Sequence, residues 1–537
     1  PNISALIRSK LENILRNGLT KIFQFGKQDM TKLVGVGLPQ PYAYKDLGVV
    51  VHLVNSYLPL GLKQLASAYM GWNPFNNVYK LDILESIDKL EDVPLRDVYR
   101  HCAIDTQATL WLFVRMCELL GKTSRKLADL NQIIQEVFRI THEMSSKGTR
   151  LNVPVLRTLL RKYEKKVLIE EVAFSSELKK IGYDKPNFNW RSNPQLNDLF
   201  TFLKATPTRR YTTKTGKMSF CKEALYAMGD HPIAQRIVLL GDLSHTVSSF
   251  LRPLQQQAIM DARGQCSIHT EYRVTGTDRG RLSSANPNLQ NLPRGDEIRS
   301  LFLPDPGEIF VQADYNQLEV RIIAYLSKDG ALIDIIESGG DVYLLIAERI
   351  FRKKKGQITK IERDIVKAIV LGLNYGAGPD SIWRGLVEKH IDVTKAGIAS
   401  LVADYFRAFS GIKQYHYEIE SRALKNFMLE NPFGRRLDLN ILRCAMDTYM
   451  RADILRSALN FNMQSTGADI LSRATCEIYR KLKKGRLLMT LHDALMVSVP
   501  ETYLKPGINT IKQCMEAPVP EVNNVRFPVS MSVGESW

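Results

Sequence analysis

Two aspartates, each at the end of an apolar run, are the residues of this sequence best suited to chemistry. Asp314 lies in IFVQADY (309–315) and precedes an amphipathic segment that begins near Gln317, so it sits where a buried strand hands over to a helix. Asp493 lies in LLMTLHDALMVSV (487–499), in which His492 and Asp493 occupy the turn between two strands. If the two turns adjoin at one edge of a sheet, the carboxylates can bridge two Mg²⁺ ions roughly 4 Å apart, the arrangement that serves phosphoryl transfer. Asp also opens ordinary turns, and for either residue alone that plainer meaning weighs more. A second constellation is Arg363, Lys367, Leu371 and Tyr375, spaced at i, i+4, i+8 and i+12 along one drifting helix face. Two cations one turn apart can hold a triphosphate, and an aromatic further along can stack on a base. A solvated basic face on an ordinary amphipathic helix is the alternative.

These residues need a large scaffold, and the chain of 537 residues is too long for a single core. With 45% hydrophobic and 24% charged residues it has a globular composition, which argues against long disorder and fibrous repeats. Lys and Arg number 73 against 56 Asp and Glu, a formal net charge of +17 that predicts a polyanionic partner. A nucleic-acid backbone is the simplest, because each neutralised phosphate releases condensed counterions. Charge alone does not separate DNA from RNA or acidic lipid. The seven cysteines are scattered without a Cys-x-x-Cys pair, which argues against zinc or a disulfide framework and for a reducing, intracellular compartment. No stretch reaches the roughly 18 uncharged apolar residues of a spanning helix, so no membrane association is expected. The chain opens on Pro1 with no basic-then-apolar leader; no signal peptide is expected, and the natural N-terminus is expected to lie upstream. The sequence contains no G-x-x-x-x-G-K-[ST], G-x-G-x-x-G or H-E-x-x-H, which removes the common nucleotide-loop and zinc-protease classes.

The organisation changes along the chain. Up to about residue 135, apolar runs such as 48–53 alternate with helical patterns such as 105–120, which suggests an α/β unit. Long amphipathic helices dominate from 131 to 257, interrupted by the basic segment TPTRRYTTKTGKMSF (206–220); a helical arm with a cationic tip is expected. From 267 onward strands and helices mix, and 336–430 is helical by periodicity, so one sheet is expected to be split in sequence by a helical insertion.

The runs DYNQLEVRIIA (314–324), RDIVKAIVLGLNYGAG (363–378) and LMTLHDA (488–494) resemble, in that order, the A, B and C motifs of family A DNA polymerases. TDRGRLSSANPNLQNLP (277–293), PFGRRL (432–437) and RSALNFNMQSTGADI (456–470) look like that family's primer-template contacts. The resemblance implies an α+β multidomain chain shaped like a right hand. It would have a palm with a mostly antiparallel sheet, helical fingers and a helical thumb, preceded by a partial RNase H-like α/β exonuclease domain. The corresponding divisions are 1–135 for the exonuclease-like part, 136–262 for the thumb, 263–335 and 431–537 for the palm, and 336–430 for the fingers. It implies a monomer that extends primer-template DNA with deoxynucleoside triphosphates, with any accessory proteins left open.

The same resemblance assigns roles. Asp314 and Asp493, with the Tyr315 carbonyl, would hold two Mg²⁺, for which Mn²⁺ can substitute. Arg363 and Lys367 would grip the nucleotide phosphates, with Lys367 placed to protonate pyrophosphate. Gln317, Leu371, Tyr375 and Glu319 would line the nucleotide site, Glu319 crowding the sugar C2′ so that deoxynucleotides are preferred, and Tyr375 and Gly376 guarding the templating position. Arg281 and Gln464 would donate into the minor groove near the primer end, where purine N3 and pyrimidine O2 accept in every correct pair. Asn288, Gln290, Asn291, Arg456, Asn460 and His492 match other DNA contacts, and Arg209 and Lys214 would grip the duplex backbone from the basic thumb segment. A single-subunit RNA polymerase, against which Glu319 argues, and a non-catalytic DNA-binding protein are the competing readings.

Several positions depart from the family pattern. Ala494 replaces the usual Glu of motif C, a residue secondary to Asp314 and Asp493, so activity is expected to survive. Asp29 and Asp105 match the second and third exonuclease motifs, but Phe25, Gln28 and His101 replace the usual residues and Asp-x-Glu occurs nowhere in the chain. A two-metal site lacking two carboxylates binds metal poorly, so exonuclease activity is expected to be absent. Leu371 stands where Phe or Tyr usually lies beneath the incoming sugar. Leu371→Tyr is therefore expected to raise dideoxynucleotide incorporation in a primer-extension assay; an unchanged termination ratio would argue against this placement.

Overall fold

The computed structural model describes residues 3–70, 94–205, 218–293, 295–354, 356–389, 391–444 and 447–537. Arg209, Lys214 and most of the basic segment 206–220 lie outside the described residues.

The strand Glu308–Tyr315 is central to a four-stranded antiparallel sheet ordered Arg486–Leu491, Ala494–Pro500, Glu308–Tyr315, Val529–Gly534. Its side chains alternate between two cores, as the two-residue period of a strand requires. Val311, Ala313 and Tyr315 join Leu495, Val497 and Val499 against the helix Thr448–Lys481, while Phe310 and Met496 face the opposite way, toward Leu156 and Leu159 of the helix Val153–Lys180. Phe310, Val311 and Ala313 are buried on one face or the other, which is why this stretch reads as a nearly continuous apolar run, broken by the partly buried Gln312.

Between the strand Glu308–Tyr315 and its partners the chain makes a helical excursion from Leu318–Ser327 to Ser410–Asn426, which starts earlier than the expected 336–430. This excursion has its own core around Val366, Ile369, Val370, Tyr405 and Phe409. The helix Leu318–Ser327 joins the two bodies: Leu318 and Ile322 enter the sheet's core, and Val320, Ile323 and Ala324 enter the excursion's. The helix Val153–Lys180 does the same for the arm. Its first half packs under the sheet through Leu156, Leu159 and Leu160, and its far end carries Phe174 and Leu178 into a separate cluster with Leu199, Phe200 and Ile237.

The N-terminal part corrects one expectation. The run 48–53 belongs to the helix Leu47–Val54, not to a strand, and every residue from Leu47 to Leu53 is buried. A uniformly apolar run carries no period, and burial on all sides overrides the strand preference of its valines. The α/β character of the described residues there reduces to one parallel pair, Lys21–Phe23 with Tyr44–Asp46. The boundary expected at 135 falls within the helix Arg125–Lys147, whose start is capped by Ser124. No helix among the described residues is long and apolar enough to cross a membrane.

Burial holds the imidazoles of His52, His142 and His416 down to about 4. Between that value and the ordinary 6.5 the unfolded chain binds more protons than the folded one, so each contributes stability that is full above pH 6.5 and lost as pH falls through this window. His416, beside Phe406, has burial as its sole cause. His416→Phe is expected to lessen the loss of stability between pH 7 and pH 5, by up to about 2 kcal/mol, in thermal or denaturant melts at the two pH values. An unchanged loss would contradict it.

Candidate active site

The sheet brings the two predicted aspartates together. Asp314 lies directly across from Ala494 and, on its other side, from Ser530. Asp493 immediately precedes Ala494, and its carbonyl accepts from the Tyr315 N–H at 3.3 Å. Ala494 therefore puts no second carboxylate opposite Asp314. The Tyr315 ring is buried and its hydroxyl donates to the Met515 carbonyl at 2.8 Å, which anchors this strand end. Leu491 pairs with Ala494, so His492 and Asp493 form a two-residue hairpin loop as read from the sequence. His492 takes φ 55°, a conformation that hairpins usually give to glycine and that costs a non-glycine residue roughly 1–2 kcal/mol. Asp314 is exposed and Asp493 partly so, and a cleft of about 630 Å³ opens beside Asp314, lined also by Gln317, Arg321, Gly339 and Gly340.

A charged cluster bridges the sheet end and the excursion. One Nη of Arg281 donates to Glu319 Oε1 at 2.8 Å and to Asp493 Oδ1 at 3.3 Å. The Tyr375 hydroxyl donates to the Glu319 carboxylate at 2.9 Å. Burial works against the Arg281 charge, but Asp493 and Glu319 outweigh it and push the guanidinium above its ordinary range. Burial, then Glu319, raises the Tyr375 phenol.

The helix Lys360–Asn374 starts with a reciprocal cap between Thr359 and Glu362 and carries Arg363, Lys367 and Leu371; Tyr375 closes it. Arg363 donates through Nε to Asp341 Oδ2 at 2.7 Å, and both Arg363 and Lys367 lie 5.8 Å from the Tyr343 ring centroid. Across from it, the helix Thr448–Lys481 presents Arg456, Asn460 and Gln464 at four-residue spacing. Arg456 packs on Gly376, Asn460 donates to the Tyr375 carbonyl at 3.4 Å, and Gln464 bonds the Tyr375 hydroxyl. Arg281 Nε, Gln317 Oε1 and Asn460 Oδ1 are buried here with no hydrogen-bond partner in the protein.

Apart from His492, which shares the hairpin loop with Asp493, the remaining sequence-predicted residues fall outside this cluster. Gln290 donates to the Thr490 carbonyl and hydroxyl at 3.2 and 3.1 Å, and Asn288 Oδ1 accepts from the Ser284 hydroxyl at 2.9 Å, so both brace the segment before the sheet. Asn291 and His492 are exposed. Asp29 is exposed in the first turn of the helix Gly26–Gly35, and Asp105 faces His101 at 3.3 Å on the helix Leu95–Thr123. Partial burial raises both carboxyls, against Lys32 for Asp29 and against His101 and Lys63 for Asp105. Among the described residues no group of three or more His, Cys, Asp or Glu could hold a metal.

Sequence reading missed Asp341, which holds Arg363, and Tyr343, whose ring lies under both cations; an Asp just before an apolar helical run was the available signal. It also missed the buried ion pair of Arg435 with Asp469, at 2.7 Å, although both lie in motifs already singled out.

A sequence model described as DNA polymerase family A matches residues 157–537. The chain is 31% identical over 428 residues to a thermostable DNA polymerase I of Thermus filiformis, covering 78% of this chain and 49% of that protein. It is 28% identical over 541 residues to a DNA polymerase I of Chloroflexus aurantiacus, covering 95% and 54%. The chain thus spans about half the length of the curated relatives it matches. Its fold is similar to the POL domain of Pol1 from M. smegmatis, solved in complex with DNA primer-template and dNTP, with a TM-score of 0.83, 25% identity, and coverage of 100% of this chain and 89% of that one.

Proposed function

Because the chain belongs to DNA polymerase family A, we propose that it extends a primer along a DNA template, joining the primer 3′-OH to the α-phosphate of a deoxynucleoside triphosphate and releasing pyrophosphate. The observation that carries this reading is the antiparallel register that sets Asp314 across from Ala494, next to Asp493.

Family membership implies a divalent metal, and the residues present fit one. Two carboxylates from adjacent strand ends supply hard oxygen donors beside an open cleft, with the Tyr315 carbonyl as a further donor. Two Mg²⁺ ions, or Mn²⁺ in their place, are the proposed occupants; when bound they would lower the pKa of the primer hydroxyl and neutralise charge on the leaving pyrophosphate. Arg363 and Lys367 bind the phosphates, which requires Arg363 to exchange Asp341 for the nucleotide, and Lys367 delivers a proton to pyrophosphate. Gln317 and Leu371 line the nucleotide site. Glu319, held by Tyr375 and Arg281, crowds the sugar C2′ and excludes ribonucleotides, which disfavours an RNA polymerase reading. Arg281 and Gln464 donate to the primer-end minor groove, and the unpartnered Nε of Arg281 supports that role. Arg456, Asn460, His492, Asn288, Gln290 and Asn291 contact primer or template, with Asn288 and Gln290 also bracing the segment that carries them.

In this reading the sheet is the palm, the helical excursion the fingers, and the arm built on Val153–Lys180 the thumb, whose segment with Arg209 and Lys214 grips the duplex. The part expected over 1–135 is read as an exonuclease-like domain without exonuclease activity, since Asp-x-Glu, the first motif of such a site, occurs nowhere in the chain. The enzyme works as a monomer in a reducing, intracellular compartment.

Primer extension with Mg²⁺ and all four deoxynucleotides tests the proposal. Asp493→Asn is expected to lose at least about a thousandfold in rate, roughly 4 kcal/mol of barrier. Equal extension by wild type and variant, or none by wild type with either Mg²⁺ or Mn²⁺, would overturn it.

A further inference from the structure

Arg281 lies just beyond the tip of a two-stranded hairpin formed by Glu271–Arg273 and Ser283–Ala285. Such a hairpin is marginal by itself, so its tip needs outside support to aim a side chain. Within the tip, the Thr277 carbonyl accepts the Gly280 N–H at 3.2 Å, and the Thr277 hydroxyl donates to the Arg281 carbonyl at 2.8 Å. Arg279 donates to Ser457 Oγ at 2.8 Å and Arg435 packs against Gly280, and the remaining support comes from the N-terminal part of the chain. His52 Nε2 lies 3.0 Å from the same Thr277 carbonyl, 225 positions away in sequence. A carbonyl only accepts, so His52 is the donor and its Nε2 carries the hydrogen. Tyr57 hydrogen-bonds the side chain of Asp278, the next residue of the tip, and Asn55 Nδ2 donates to Asp438 Oδ2 at 3.0 Å on the neighbouring strand Arg436–Asp438.

His52 is itself rigidly held. It lies near the end of the fully buried run of the helix Leu47–Val54, and its side chain is 6% exposed. Burial, reinforced by Arg435, keeps the imidazole neutral down to about pH 4, so this single donor persists at working pH.

We propose that the N-terminal domain serves the polymerase site as a brace, with His52 as a positioning residue that aims Arg281 at the primer terminus through the Thr277 turn. The proposal rests on the reading of Arg281 as a primer-end minor-groove contact. It gives a domain without exonuclease chemistry a role in testing the terminal base pair: loss of the brace lets Arg281 swing, and the enzyme then extends a primer end with less regard to its minor-groove acceptor.

Single-turnover extension of primers ending in guanine or 3-deazaguanine separates the possibilities, because the analogue lacks the N3 acceptor and keeps Watson–Crick pairing. Wild type is expected to extend the analogue roughly ten- to a hundredfold more slowly, the range for a hydrogen bond to a charged group. Arg281→Ala should abolish the difference. His52→Ala should remove most of it while the KM for the incoming nucleotide stays within about twofold. His52→Gln, whose amide N–H can reach the Thr277 carbonyl, should restore it; a merely structural loss would slow both primers equally. If His52→Ala does not fold, Tyr57→Phe on the exposed side of the contact is expected to give a partial loss. Full retention of the difference in His52→Ala, or in Tyr57→Phe where that substitutes for it, while Arg281→Ala loses it, overturns the brace and leaves the Arg281 reading intact. Retention in Arg281→Ala itself overturns both.

Discussion

The backbone ladder between Glu308–Tyr315 and Ala494–Pro500 sets the geometry of everything around it. A strand shows alternate faces at alternate residues, so a slip of one position would turn Asp314 toward the opposite side and bury polar groups where Val311 and Ala313 now pack. The cores on the two faces of the sheet forbid that slip. The hairpin loop at His492 and Asp493 then leaves the second aspartate no choice of place. Two residues remote in sequence come to adjoin because apolar side chains on both faces permit a single register, not because the acids attract one another.

Charge around this strand end is balanced within the protein. Arg281 sits between Glu319 and Asp493, and Arg363 is held by Asp341. Removing charges from water is expensive unless they are paired, and these pairs keep a partly buried, highly charged cleft stable. Ligand binding is then an exchange of partners. In the proposed function, phosphate would replace Asp341 at Arg363 and a cation would compete with Arg281 for Asp493, each new contact offsetting part of the cost of freeing its group. Beneath the Arg281 turn, Gly280 lies against Arg435, whose buried pairing with Asp469 gives the turn a firm floor.

Much of this was legible in the sequence. The strand at 309–315, the hairpin at 487–499, the helical excursion and the long helices of the arm follow from hydrophobic period and turn chemistry, which are local. The stripe of Arg363, Lys367 and Tyr375 was visible because a helix repeats every few residues, but periodicity alone did not separate it from a solvated basic face, and its roles, like those of Arg456, Asn460 and Gln464, came from the resemblance to motifs. The segment 48–53 was not, because an unbroken apolar run fits a strand and a buried helix equally well. Asp341, the Arg435–Asp469 pair and the contact of His52 with Thr277 depend on the packing of segments far apart in the chain, and no local period records them.

The central claim is that Asp314 and Asp493 together hold the metal. Titration of Mn²⁺ into the full chain with primer-template and a non-hydrolysable nucleotide, followed by electron paramagnetic resonance, measures this directly. Wild type is expected to bind Mn²⁺, and either Asp314→Asn or Asp493→Asn to weaken that binding strongly. Undiminished Mn²⁺ binding in both variants would contradict it.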